Sequence, residues 1–110
     1  RRRHKAFELL MAEIEALSER PSPPMLSRLS LLARRYLGLC LEKPLHSMTA
    51  HELDEIARPG NSHVLNALLR FLVSLDSMRY MRAAEQQSAP DLRELRGMLN
   101  EYEKEIGRKK

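Results

Sequence analysis

Four histidines (His4, His46, His51 and His63), one cysteine (Cys40) and the acids Glu52, Asp54 and Glu55 are the residues whose types could do chemistry. A structural zinc site takes four ligands and a catalytic one takes three plus water. The histidines have no such spacing. His51 and Glu55 stand four residues apart, on one helical face, and supply two ligands at most. Cys40 lies between Leu39 and Leu41 and reads as a small buried hydrophobe. As the single cysteine it cannot form an internal disulfide, which suits a reducing compartment. Gly38, Gly60, Gly97 and Gly107 are scattered, so no loop is built to cradle a phosphate, and no serine sits in a nucleophile elbow. Glu52 belongs to a helix cap, and acids at a helix start serve the helix dipole. No residue is assigned a catalytic role, and neither a metal nor a cofactor is expected.

Positive charge is the stronger signal. Arg1, Arg2, Arg3 and Lys5 open the chain with no acid among them, and Arg108, Lys109 and Lys110 close it. Residues 6–107 then hold 12 basic and all 15 acidic side chains, so the high isoelectric point of about 9.6 comes from the two ends. Lys and Arg accumulate at the cytosolic end of a membrane span and meet anionic lipid there. Arg1, Arg2, Arg3 and Lys5 are therefore expected to be membrane-proximal, beneath a span upstream of this sequence. A nucleic-acid arm and a solvated, frayed end are the two competing readings of the same cluster. Within the 110 residues no apolar run approaches the ~18 needed to cross a bilayer.

The elements that position these residues all have helical period. Phe7, Leu10, Met11, Ile14 and Leu17 form one stripe of a helix over residues 5–20. The cations at its start oppose the helix dipole and lack a capping residue, so Arg1–Lys5 are expected to be interior to a helix that begins upstream. Prolines at 21, 23 and 24 end it, with Ser22 placed to cap the next helix. That helix carries Leu26, Leu29, Leu32, Ala33, Tyr36 and Leu37, and either stops at Gly38 or extends through Leu41. Thr49 and Glu52 make a capping box, and Met48 with Leu53 a hydrophobic staple, opening a short helix that ends near Ala57. Asn61 or Ser62 caps a helix over residues 63–75, apolar on most faces and expected at the centre. Residues 75–81 either continue it or break near Asp76, where the Asp would cap a re-entrant turn. Arg70 is expected to snorkel or to pair with a carboxylate. A last helix, capped by Ser88 with Asp91 at its third position, carries Leu92, Leu95, Leu99, Tyr102 and Ile106 and stops at Gly107. The fold class is all-α: a compact bundle of four to five helices. Residues 1–20 are the basic juxtamembrane segment with the first helix and 22–106 the bundle, one domain overall.

A helix-turn-helix could be drawn from residues 50–57 and 62–75. Its second helix offers mainly Asn66 and Arg70 among leucines, too little to read base edges and hold phosphates.

Three pieces in order resemble one family: Leu32-Ala33-Arg34-Arg35-Tyr36-Leu37, Met48-Thr49-Ala50-His51-Glu52-Leu53, and the stretch from Leu68 through Asp76 and Arg79 to Tyr80. Together they look like the helical cytoplasmic tail of BatD-type (oxygen-tolerance) bacterial membrane proteins, over about residues 29–81. The resemblance implies an extracytoplasmic β-sandwich region and one membrane span ahead of this tail. It implies partners among MoxR-type AAA+ ATPases and von Willebrand A-domain proteins in envelope or stress physiology. The expected function is a non-catalytic protein–protein interaction or regulatory domain at the cytoplasmic face of the bacterial inner membrane. Arg34, Arg35, Arg79 and Tyr80 are the candidate partner-facing patch, the plainer reading being that they solvate helix faces or buttress the core. The competing class is a soluble basic helical module that binds nucleic acid.

Overall fold

A stripe of leucines every third or fourth residue buries itself only as a helix, and the chain obeys this throughout. The computed structural model describes residues 2–17, 23–79 and 91–108. Among them the chain is all-α: α1 (Arg2–Ala16), α2 (Pro23–Leu41), a 3-10 turn (Leu45–Ser47), α3 (Ala50–Ile56), α4 (His63–Arg79) and α5 (Leu92–Arg108). The expected Ser22 and Ser88 caps and the connector at 82–88 lie outside the described residues.

α1 is helical from Arg2, cations included, and ends at Ala16, earlier than the expected Arg20, where Leu17 N–H bonds Ile14 C=O at 3.3 Å. Its stripe packs inward through Leu10 and Ile14, with Phe7, Met11 and Leu17 half-buried beside them. α1 lies antiparallel on α2. Glu13 pairs with Arg28 at 3.1 Å near one end, while Ala6 lines a cleft with Gly38 and Leu39 at the other. The basic first segment is thus part of the one core rather than an appendage to it.

α2 runs through Gly38 to Leu41, the longer of its two expected lengths. Gly38 serves a close approach: a Cβ there would meet Lys43 O at 2.8 Å. Lys43 N–H bonds Gly38 C=O at 3.1 Å, and Glu42 between them is left-handed at φ 55°. This is the six-to-one bond of a Schellman cap, with glutamate in the position glycine usually takes, and Pro44 follows to prevent further helix. The turn sends the chain back across the end of α2 and seats Leu45 in the core.

α3 starts as expected. Thr49 Oγ1 accepts from Glu52 N–H at 3.2 Å, and Glu52 Oε1 accepts from Thr49 N–H at 3.2 Å. Ser62 is the cap of α4, accepting from Leu65 N–H at 3.1 Å. α4 continues unbroken past Asp76 and supplies Leu65, Leu68, Leu69, Leu72 and Leu75 to the core. α5 departs from expectation at both ends. Asp91, expected inside the helix at its third position, stands before it, its Oδ1 accepting from Arg93 and Glu94 N–H at 3.1 Å. Gly107 lies inside the helix, which reaches Arg108.

One cluster of buried side chains draws on all five helices and the 3-10 turn. Each buried leucine stabilises it by about 2 kcal/mol. The radius of gyration is 13.5 Å, against about 13 Å for a compact domain of this length.

Candidate functional site

Arg34 and Arg35 follow one another on α2 and separate in space. Arg34 is 7% exposed, so the expected partner-facing role does not hold for it. Its guanidinium donates to Leu45 C=O at 3.1 Å, to Met48 C=O, and to the Asp76 carboxylate on α4. Ser30 Oγ donates to the other Asp76 oxygen at 3.4 Å. One side chain thereby clamps α2, the 3-10 turn and α4. Taking two charges out of water is expensive, and the further hydrogen bonds satisfy what the ion pair alone leaves unpaired. Asp76, expected to cap a turn, instead anchors this clamp from within a helix.

A second polar group ties α1, α2 and α5. Tyr36 hydroxyl donates to Glu103 Oε2, and Arg3 pairs with Glu103 Oε1 at 3.2 Å. Phe7 and Tyr102 flank the Tyr36 ring, with centroids at 5.6 and 6.5 Å. Burial, then the Glu103 hydrogen bond, pushes the Tyr36 phenol well above its ordinary value. Burial also pushes the Tyr102 phenol up to about 12 and the Cys40 thiol up to about 11, the latter opposed in part by a hydrogen bond with Tyr36. A thiol held protonated is a poor nucleophile at neutral pH. Half-buried Cys40 is interior filling, as its apolar neighbours foretold.

Arg35 faces outward into an open cleft of about 580 Å³ that it shares with Ala6, Gly38, Leu39, Glu42, Lys43 and His46, with the edge of Arg34 at its wall. Leu31, Arg35 and Leu39 recur every fourth residue along the outer face of α2, and both leucines are 40% exposed. On α1, Leu9 stands three residues beyond Ala6 and is 59% exposed. Sequence reasoning found Arg35 and missed the rest. The signal was present in the spacing of Leu31, Arg35 and Leu39, a second stripe offset from the one that α2 buries.

The other expected residues fall as follows. Arg2 and Lys5 are exposed on the first turn of α1, and Arg3 is half-buried against Glu103. Arg1, Tyr80 and the side chain of Arg79 lie outside the described residues, Arg79 being the last of α4. Arg70 is exposed. His4 pairs with Glu8 at 3.0 Å and His51 with Glu55 at 2.9 Å, both on the surface. Among the described residues no three His, Cys, Asp or Glu side chains gather as a metal site would require. Asn66, the best base-reading candidate of a helix-turn-helix, is buried and donates to Arg58 C=O at 2.9 Å. Its Oδ1 accepts from Asn61 at 3.2 Å, so it fastens the turn between α3 and α4.

α1 and α5 run antiparallel, with Arg3 against Glu103 near one end and Glu15 against Arg96, at 3.0 Å, near the other. The first turn of α1, the last turn of α5 and the cleft at the end of α2 therefore share one pole of the bundle. Compared with protein-family models, with curated proteins and with solved structures, the chain matches none.

Proposed function

We propose that the chain is a non-catalytic docking and regulatory module, held with its basic pole against the cytoplasmic face of a bacterial inner membrane and working by protein contact. The observation that carries this reading is the gathering of cations at one pole. Arg2 and Lys5 are exposed there on the first turn of α1, beside the last turn of α5. Anionic headgroups attract such cations by about 1 kcal/mol apiece. The resemblance of residues 29–81 to BatD-type tails supports a single-span parent protein, with a MoxR-type ATPase or a von Willebrand A-domain protein as partner.

Flotation with vesicles tests the membrane half of the reading. The chain is expected to bind phosphatidylglycerol vesicles and not phosphatidylcholine ones, with binding that falls with salt and that Arg2→Ala with Lys5→Ala weakens about tenfold or more. Equal affinity for both lipids, or for neither, overturns it. Tight binding of duplex DNA, with a salt slope worth several phosphates, favours the competing nucleic-acid module.

A further inference from the structure

We infer that the cleft between the start of α1 and the end of α2 receives an acidic amphipathic helix of another protein. This deepens the proposed docking role and rests on it. The cleft is concave, with Ala6, Gly38 and Leu39 as an apolar floor and Arg35, Lys43 and His46 as a basic rim. Among the described residues, Arg35 and Lys43 have no carboxylate within ion-pair distance, whereas Arg3, Arg28, Arg34 and Arg96 each have one. Cations left uncommitted beside exposed Leu39 and the apolar floor are complementary to a segment carrying leucines and carboxylates together.

The shape selects the occupant. A bilayer presents a broad surface and does not enter a concavity, and a nucleic-acid backbone gains nothing from an apolar floor of Ala6, Gly38 and Leu39. A helix does, because Leu31, Arg35 and Leu39 recur at the i, i+4 spacing into which a ridge of a second helix packs. Apolar anchors on the floor and charges on the rim are the usual division of labour in helix-in-groove recognition. Among the described residues Glu42 is the one carboxylate lining the cleft, and it opposes an acidic ligand.

The probe is a synthetic helical peptide with leucines at i, i+4 spacing flanked by glutamates, titrated into the full isotope-labelled chain. Amide shifts are expected at Ala6, Gly38, Leu39 and Lys43. Charge reversal with Arg35→Glu and Lys43→Glu weakens binding about tenfold or more, while a lysine-flanked peptide gains affinity for that variant. Glu42→Gln tightens binding about two- to threefold, a gain that partial unfolding cannot imitate. Leu39→Ala weakens it with little change in stability, since that side chain is 40% exposed. Shifts confined to another face, indifference to peptide charge, or an unchanged affinity in Glu42→Gln overturns the inference. So does displacement of the peptide by a DNA duplex, or broadening of the Ala6 and Leu39 amides by phosphatidylglycerol vesicles but not by the peptide. A chain that ignores vesicles yet binds the peptide at the cleft keeps this assignment and loses only the membrane half of the earlier reading.

Discussion

The clamp around Arg34 and the cleft around Arg35 are built from the same residue type, one step apart on α2, or ~100° around a helix. Inside, the guanidinium is enclosed by two carbonyls and Asp76. Outside, its neighbour faces an open concavity with no carboxylate partner among the described residues. The comparison teaches that charge alone says little about role. A cation bonded to three acceptors on other elements holds those elements together, and one left over beside exposed Leu39 is available to a partner.

The largest way to break the comparison is at the clamp. Arg34→Met leaves Asp76 without the guanidinium and Met48 C=O without its donor, while Leu45 C=O keeps the Met48 N–H, and it is expected to destabilise the fold by about 3 kcal/mol or more in urea unfolding. Asp76→Asn keeps the carbonyl bonds and costs less. Gly38→Ala comes next. The new methyl would lie 2.8 Å from Lys43 O, backbone that cannot swing away, and relieving that contact disturbs the cap on which the cleft depends. A loss of about 1–2 kcal/mol is expected after subtracting the helix preference of alanine, checked by thermal unfolding. A neutral result would show that the turn gives way freely.

Alkaline pH probes the region between clamp and cleft. In the unfolded chain the Cys40 thiol ionises near 9.0 and the Tyr102 phenol near 10.0, while in the fold they are pushed up to about 11 and about 12. Above about pH 9 the unfolded state therefore binds fewer protons than the folded one, and stability falls with rising pH. The contribution is complete below pH 9 and is lost as pH climbs through the folded values. Urea midpoints are expected to hold level to about pH 9 and then decline, Cys40→Ala removing the earliest part of the slope. A midpoint that rises over that range contradicts the burial of these groups. Smallest of all is Arg35→Ala, expected to leave unfolding free energy within about 0.5 kcal/mol of the parent. A loss comparable to that of Arg34→Met would erase the distinction between the two arginines.

Much of the fold was legible in local patterns. The stripes of α1, α4 and α5, the Thr49–Glu52 box, and the end of α3 before Arg58-Pro59-Gly60 follow from spacing and turn chemistry, which act over a few residues. Where two local solutions competed, the chain alone left them open: Gly38 as stop or close approach, Asn61 or Ser62 as cap, α4 broken or continuous at Asp76. Packing chose among these. Of the candidate site, Arg2, Lys5 and Arg35 were found by type, but the cleft beside Arg35 was not. Its floor joins Ala6 to Gly38, and no periodicity within one helix announces a neighbour on another.

By itself, then, the order of side chains determined that this protein is all-α, which faces turn inward, and that its ends are basic. Only the tertiary structure decided that Arg34 meets Asp76 42 residues away, that Tyr36 meets Glu103 67 residues away, and that the first turn of α1 shares a pole with the last turn of α5. The physical reason is one of range. Helix formation and capping are settled between residues a turn apart, whereas the partner of a buried charge depends on how separately formed helices rotate and cross when their apolar faces close on a common core.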